Sequence, residues 1–165
     1  MLTGSSRNKH SGFTYLTVLF IIVVMGIMLA RAGLGWSQAE QREKELDLLF
    51  AGNAYRQAIM MYYERTPGLI KNYPATLEDL LTDTRYNLPQ HYLRKLYRDP
   101  VMNQQQWNTI MAPEGGIMGV HSFSKEKLIK TAGFDEANIS FEGAARYSDW
   151  EFVYVPRAVI PRQTQ

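Results

Sequence analysis

The residues with the most specific chemistry stand together at positions 12–19, where a short leader that contains basic residues and no acid meets an apolar run. This stretch begins with Gly12 and Phe13 and continues without a charge. A junction of this kind is typical of a processing site, and it is also where a membrane helix begins. The sequence therefore predicts a peptide cleavage site directly before a membrane helix.

Catalytic chemistry has little support in the rest of the chain. There is no cysteine, which excludes disulfides, thiolate metal sites and cysteine catalysis. The histidines are His10, His91 and His121, and their spacing does not bring together a nucleophile, a base and an orienting residue. We therefore expect no enzymatic activity and no cofactor.

The net charge of the chain comes from its first twelve residues. The formal charge is +2, but two of the 18 basic residues, Arg7 and Lys9, lie in residues 1–12, which contain no acid. The rest of the chain therefore has 16 basic residues against 16 acidic ones. No basic stripe remains to follow a phosphate backbone, so nucleic-acid binding is not expected.

The apolar run is long enough to predict a membrane helix. Residues 13–30 contain no charge, and they would extend about 27 Å at 1.5 Å per residue. Arg31 interrupts the run, but the pattern resumes as far as Trp36, where an aromatic belt would lie. Because basic residues precede the run, the N-terminus is predicted to be cytoplasmic. Residues 13–36 would form the membrane helix, and the chain after residue 36 would lie on the opposite side of the membrane.

A cleaved secretory signal peptide is the alternative interpretation of this run. The nearest small-x-small cleavage site is Ala30-Arg31-Ala32, which has a charged residue in its middle position. The helical pattern also continues past this site instead of breaking. A retained membrane helix therefore accounts for the sequence better.

The junction resembles the class III signal of type IV prepilins and of the pseudopilins of type II secretion systems. In that family, prepilin peptidase cuts after a glycine and methylates the new N-terminal phenylalanine. The resemblance implies cleavage after Gly12 and methylation of Phe13. Thr14 matches the family's threonine, Leu16 its aliphatic position, and Gly26 the glycine 14 residues into the mature chain, which implies a role in assembly.

Further landmarks extend this resemblance to about residue 100. They follow the order found in the major pseudopilin. These landmarks are Tyr62 and Tyr63, Tyr73-Pro74 with Thr76, residues 92–96, and Asp99-Pro100.

The fifth residue of the expected mature chain departs from the family pattern. Most members have a glutamate there, whose carboxylate neutralises the N-terminal amine of a neighbouring subunit, whereas this chain has Thr17. A threonine hydroxyl can instead bond a carbonyl of the preceding turn, and it avoids the cost of a charge within the membrane. Two interpretations stay open: a marker of a specialised subunit, or a neutral replacement.

A second departure concerns calcium, which the major pseudopilin binds in a C-terminal loop with paired acids and glycines. The comparable stretch here, residues 121–127, is basic. A calcium site needs several oxygen ligands around one ion, and Asp135, Glu136 and Asp149 are scattered. Calcium is thus implied by the resemblance but not supported by the residues, and no metal site is predicted.

The first helix is predicted to continue beyond the membrane to Arg65, because residues 37–65 contain no proline, one glycine and many helix formers. Residues 37–47 are polar and predict a solvated neck or an interface with sister subunits. A stripe at three- and four-residue spacing predicts the buried face: Leu46, Phe50, Ala54, Ala58, Met61 and Tyr62. Three glycines are predicted weak points of the helix: Gly33, Gly35 and Gly52.

Shorter elements are predicted after the helix ends at Thr66-Pro67-Gly68. They are a helix over 76–81 with Thr76 as N-cap, a helical turn over 91–96, strands over 107–112, 117–123 and 150–155, and a turn over 113–116. The predicted fold is therefore α+β, a long N-terminal helix packed on a small antiparallel sheet in a pilin-like roll. Residues 66–155 would form the periplasmic domain and residues 156–165 a flexible tail.

The resemblance implies a structural subunit of a type II secretion pseudopilus, anchored in the inner membrane by a single pass, with a periplasmic C-terminal domain. Its implied partners are prepilin peptidase, sister pseudopilins in homo- and hetero-oligomers, and the inner-membrane secretion platform. A minor pilin of a type IV pilus is one alternative, although the usual C-terminal disulfide of that class cannot form here. A membrane-tethered periplasmic binding or enzymatic domain, which would retain residues 1–12, is another.

Overall fold

The computed structural model describes residues 11–156, and within this range the side chains of 11–12 and 30–37 are not described. The predicted leader, 1–12, therefore lies outside the described residues except for its last two backbone positions. The predicted tail, 156–165, lies outside them except for Pro156. Both boundaries stay predictions.

One long helix, α1, runs over Ser11–Glu64. The chain divides into two compact units, Met1–Gln41 and Arg42–Gln165, and residues of α1 belong to each. The predicted helix from 13 to 65 is confirmed to within two residues at either end. The helical backbone continues through all three glycines that the sequence marked as weak points.

The buried face of α1 in the second unit differs from the predicted stripe. Leu46 and Phe50 are each 63% exposed, so the prediction is wrong for both. Ala58 and Tyr62 are buried as predicted, and the other two members are half-buried. A row spaced by four residues drifts about 40° per step around a helix of 3.6 residues per turn, which carries its early members off the core face. The observed face consists of Leu48, Ala51, Tyr55, Ala58, Ile59 and Tyr62.

The C-terminal end of α1 is capped by cations from later in the chain. The helix ends at Glu64, next to the predicted stop, and its last turn has no basic residue. Lys71 Nζ donates to the carbonyl oxygen of Glu64 at 2.6 Å, and Arg85 Nη2 donates to that of Tyr62 at 3.1 Å. These cations satisfy terminal carbonyls and oppose the partial negative charge of the helix end.

Three short strands form one antiparallel sheet in the order β1-β2-β3. The strands are β1, Asn108–Met111; β2, Ile117–His121; and β3, Phe152–Val153. All three predicted strands are confirmed, although each is shorter than predicted. The third loses its start because Trp150 instead closes a 3-10 helix over Tyr147–Asp149, donating its amide to the carbonyl of Tyr147 at 3.2 Å.

The turn between β1 and β2 is confirmed as a hairpin connection. The amide of Ala112 donates to the carbonyl of Gly116, and the amide of Gly115 donates to that of Ala112, both at 2.9 Å. Gly115 and Gly116 have φ of 94° and 82°. Glycine adopts this left-handed region without strain, which accounts for two successive glycines at the turn.

The helix predicted over 76–81 is reduced to a 3-10 helix over Glu78–Leu80. The Thr76 side chain does not cap it, so the predicted N-cap is wrong. The backbone amide of Thr76 instead donates to Asp79 Oδ2 at 2.9 Å. This is the returning half of a capping box, made by the acidic residue alone.

The helical turn predicted over 91–96 is wrong, because the described backbone there is irregular. The amides of Tyr92 and Leu93 both donate to the carbonyl of Leu80, at 3.0 and 2.9 Å. Tertiary hydrogen bonds to the 3-10 helix therefore replace those of a local helix.

Aromatic side chains fill the core between the second half of α1 and the sheet. The ring of Phe152 is fully buried and lies against Gly52 of α1, where a Cβ atom would overlap it. Gly52, predicted as a weak point of the helix, is therefore a point of close approach to β3. The largest fully buried rings are Tyr55, Phe141, Tyr147, Trp150 and Phe152.

The α+β prediction is confirmed, with an N-terminal helix packed on a small three-stranded antiparallel sheet. Most of the chain after α1 is irregular, and side-chain to backbone hydrogen bonds hold many of its loops. Across the described residues, no helical stretch is both long enough and apolar enough to cross a membrane.

Candidate functional site

The first described side chains of α1, residues 13–29, form a continuous apolar surface that we call the apolar segment. It contains no charged residue. Its exposed large apolar side chains range from 50% exposed at Leu19 to 76% at Phe13. A helix that is apolar on all sides needs lipid or other helices to cover it, and large exposed apolar patches mark interaction surfaces. The apolar segment is therefore the strongest candidate site.

Thr17 is a polar residue of the apolar segment, and its side chain forms a hydrogen bond within the same helix. Its hydroxyl donates to the carbonyl oxygen of Phe13, four residues earlier, at 2.9 Å. This is the bond to the preceding turn that the sequence predicts. The hydroxyl is thus satisfied inside its own helix and adds no charge to the apolar segment.

The residues predicted for processing lie at the start of α1. The helix begins at Ser11, so the backbone of Gly12 is helical, while its surroundings lie outside the described side chains. Phe13 and Thr14 are both exposed. The exposure of Phe13 and Thr14 is compatible with access by a peptidase, and the cleavage itself stays a prediction.

The structure brings together some of the predicted assembly residues. Leu16 and Thr17 lie on one face of α1, with Leu19, Phe20 and Val23 beside them. Gly26 lies apart from this group, and a Cβ atom there would meet nothing within 4 Å. Among the described residues, nothing near Gly26 therefore requires glycine at this position.

The second unit contains a buried carboxylate, Glu45, that the sequence did not predict. Glu45 is only 2% exposed, so the solvated neck predicted for 37–47 is wrong at this position. Its Oε1 accepts the amide of Ile129 at 2.6 Å and the Tyr147 hydroxyl at 3.2 Å, and its Oε2 accepts the amide of Lys130 at 3.1 Å. The carboxylate thus fastens a distant loop to α1.

Helical spacing offered a signal for this residue. Glu45 lies three residues before Leu48 and so continues the face that passes through Tyr55. An acidic residue on a core face needs donors to satisfy it, because an unpaired buried charge is costly. The predicted stripe lay on the wrong side of the helix near its start, and this concealed the signal.

A second buried carboxylate, Asp83, forms an ion pair with Arg85 near the end of α1. Arg85 Nη2 lies 2.7 Å from Asp83 Oδ2, and the Tyr92 hydroxyl donates to the same oxygen at 3.1 Å. The hydrogen bond from Arg85 lowers the pKa of Asp83 below its ordinary value. The Arg85 guanidinium also lies 3.5 Å from the centre of the Tyr62 ring. This cluster holds a loop against the helix end.

Asp99 is the third buried carboxylate, and it lies at the predicted Asp99-Pro100 landmark. It is fully buried and accepts the Ser122 hydroxyl at 2.5 Å and the amide of Val101 at 2.9 Å. The bond from Ser122 joins the segment after β2 to the loop before β1. Its role in the described structure is to organise loops.

An open groove of about 570 Å³, which we call the aromatic groove, lies beside β1. Its lining includes Tyr55, Trp107 and Phe123, with the amides of Gln105 and Gln106 near them. Glu78 supplies the one charged side chain among its described lining residues. Tyr55 and Trp107 are buried at its base, and Phe123 is 45% exposed. A groove of mixed polar and apolar lining with a single carboxylate is suited to binding by contact.

The two described histidines, His91 and His121, each contact a backbone carbonyl oxygen. His91 Nδ1 contacts the carbonyl oxygen of Leu81, and His121 Nδ1 contacts that of Ser122 at 3.1 Å. Among the residues that the structure describes, no three His, Asp or Glu side chains come close enough together to hold a metal ion. The basic stretch 121–127 lies at the end of β2 and in the loop that follows it.

The described surface therefore offers an exposed apolar helix and an aromatic groove, both suited to contact. Searches of protein-family models, curated proteins and solved structures found no match to this chain. The resemblance to pseudopilins accordingly stands on the junction and landmark residues alone.

Proposed function

We propose that this chain is an inner-membrane-anchored pseudopilin, a structural subunit that prepilin peptidase processes and that assembles into the periplasmic fibre of a type II secretion system. The observation that carries the proposal is the apolar segment. Residues 13–29 expose large apolar side chains in a single copy of the chain, and they directly follow the Gly12-Phe13 junction. A pilin-like subunit accounts for both features.

The apolar segment is buried in two different environments in this proposal. Lipid surrounds it while the subunit is stored in the membrane, and sister helices surround it in the fibre. Lipid tails and neighbouring helices are similarly apolar, so burial alone does not choose between them. Work from a separate cytoplasmic ATPase, as the resemblance implies, would drive extraction from one cover into the other.

The proposed membrane helix covers 13–36, which is longer than the apolar segment. The sequence supports this length, since residues 13–30 have no charge and Trp36 follows at a depth suited to an interfacial aromatic. Arg31 would extend its side chain to the membrane surface. The α+β domain formed by the second unit would then lie in the periplasm.

Thr17 gives the proposed subunit a distinctive chemistry. Its hydroxyl bonds to its own helix, and threonine has no charge with which to neutralise an incoming N-terminal amine. We therefore expect this subunit to assemble mainly by packing its helix against the helices of sister pseudopilins in the same fibre.

Processing at Gly12 provides the test of this function. The chain is co-expressed with a prepilin peptidase as wild type, as Gly12→Ala and as the neighbouring control Ser11→Ala. We expect wild type and Ser11→Ala to lose the leader, and Gly12→Ala to accumulate as precursor on gels that resolve the two forms. Equal processing of all three chains, or of none, would contradict the proposal.

A second measurement distinguishes the proposed pseudopilin from a membrane-tethered binding or enzymatic domain. Carbonate extraction followed by N-terminal sequencing would find such a tether in the membrane with residues 1–12 retained. The proposed pseudopilin stays in the membrane and begins at Phe13. A type IV pilus subunit is separated by the neighbouring genes, which for a pseudopilin encode a secretin and a secretion ATPase.

A further inference from the structure

Two loops near the C-terminal end of α1 display apolar side chains to solvent. Leu69 is 102% exposed and Ile70 77% in the first loop, and Leu88 is 76% exposed in the second. We call these three residues the apolar tip. They belong to the second unit and are far in sequence from the apolar segment, so the cover proposed for that segment does not explain them.

Hydrogen bonds hold both loops of the apolar tip in place. Lys71 Nζ donates to the carbonyl oxygens of Glu64 and Thr66, at 2.6 and 3.1 Å, and closes the first loop. Backbone bonds between Asp83 and Gln90, at 2.8 and 3.2 Å, close the second. Arg85 joins the two, because its Nη1 donates to Thr66 Oγ1 at 2.8 Å while its other nitrogens bond Asp83. Apolar side chains on loops held in this way lose little entropy when they bind.

Charge distinguishes the apolar tip from the aromatic groove. Arg65 directly precedes the first loop and is exposed, with its guanidinium 6.0 Å from the centre of the Tyr92 ring. The one charged side chain among the described groove residues is the exposed carboxylate of Glu78. The groove volume of about 570 Å³ lies within the range of roughly 300–1,000 Å³ for pockets that enclose small ligands. The groove therefore has room for side chains of a partner.

We infer that the apolar tip of one copy docks in the aromatic groove of a second copy, with Arg65 facing Glu78. This inference rests on the proposed function, since it names a contact between sister subunits in the fibre. The occupant is a copy of this chain because the exposed aliphatic side chains of the tip suit the exposed Phe123 ring of the groove, and Arg65 is opposite in charge to Glu78. A contact between two different surfaces can repeat from copy to copy, as fibre growth requires.

The absence of cysteine from the chain makes disulfide trapping the direct test. Two full-length forms that differ in a C-terminal tag are co-expressed in the secreting cell, one with Leu69→Cys and the other with Gln105→Cys on the groove. The matched control pairs Leu69→Cys with Ile139→Cys, which is exposed but does not line the groove. Mild oxidation followed by non-reducing electrophoresis identifies the mixed dimer by its intermediate mass.

We expect the groove pair to give at least several-fold more mixed dimer than the control pair. Arg65→Glu should weaken this dimer several-fold, and adding Glu78→Arg to the partner copy should restore it. Equal trapping of both pairs, or no response to either charge reversal, would overturn the inference.

Failure of this inference can be told apart from failure of the proposed function. A chain that begins at methylated Phe13 and enters fibres without trapping at the groove retains its function and loses this contact. A chain that retains residues 1–12 and still traps at the groove retains the contact and loses the pseudopilin assignment.

Discussion

The hydroxyl of Thr17 donates a hydrogen bond to the carbonyl oxygen of Phe13 at 2.9 Å. The bond joins the residue at the predicted new N-terminus to the position where the pseudopilin family usually has a glutamate. Threonine has no charge, and its hydroxyl already has an acceptor in its own helix. A neighbouring subunit's amine would therefore find no charge there.

Replacing Thr17 by glutamate should change assembly. We expect Thr17→Glu to increase homopolymer formation several-fold, because a carboxylate within a few ångströms of a neighbour's N-terminal amine favours the charged form of both groups. Thr17→Gln is the matched control, since it has the same length without the charge. Quantifying sheared fibres by immunoblot checks this, and equal yields from the two variants would show that charge at this position is irrelevant.

The Glu45 carboxylate should stabilise the second unit. Glu45→Gln replaces one acceptor oxygen with a donor group that faces the amides and hydroxyl now bonded to the carboxylate. We expect a loss of about 1–3 kcal/mol in the free energy of unfolding, the cost of a buried donor without a partner. Glu43→Gln, two residues earlier and exposed, should change it by less than about 0.5 kcal/mol. Urea unfolding followed by tryptophan fluorescence measures both, and similar losses would refute the anchoring role.

The ion pair of Asp83 and Arg85 should make stability depend on pH in the acid range. The pKa of Asp83 is lowered from its ordinary value of 3.8, chiefly by the hydrogen bond from Arg85. The folded chain therefore binds a proton at Asp83 less tightly than the unfolded chain does. The stabilisation is present above about pH 4, and it is lost as the pH falls through the lowered pKa.

We expect Asp83→Asn to be less stable than wild type at neutral pH and to lose less further stability on acidification. Unfolding midpoints measured from neutral pH down to below pH 4 check this, with Asp79→Asn as an acidic control outside the ion pair. Parallel pH profiles for wild type and Asp83→Asn would show that this ion pair does not contribute.

Gly52 should not tolerate a side chain, although it lies inside a helix. Gly52→Ala would gain about 1 kcal/mol in helix propensity, but its Cβ would overlap the buried ring of Phe152. Since overpacking costs roughly 1–3 kcal/mol, we expect a net loss of thermal stability. Gly26→Ala, where a Cβ meets nothing within 4 Å, should be neutral or stabilising. An equal response at the two positions would contradict the close approach of α1 and β3.

The elements that could be predicted were those set by local chemistry. Helix formers and the absence of proline gave α1 almost to its last residue, and two successive glycines gave the hairpin turn. The bond from Thr17 to Phe13 was also predictable, because a threonine in an apolar helix can reach only its own preceding turn. These features need no distant partner.

The features that could not be predicted depend on residues far apart in sequence. Glu45 is buried only because amides more than eighty residues later bond to it. The helical turn expected over 91–96 is absent because the amides of Tyr92 and Leu93 bond to Leu80 instead. Likewise, the purpose of Gly52 becomes clear only when Phe152 is placed against it. Local propensity yields to tertiary contacts at each of these positions.

The assignment to the pseudopilins is best tested by the mass of the N-terminal peptide, measured on protein purified from the membranes of cells that express a prepilin peptidase. We expect a chain that begins at Phe13 and carries one methyl group on its amine. A chain that begins at Met1, or one cut after the apolar run near Ala32, would contradict the assignment to the pseudopilins.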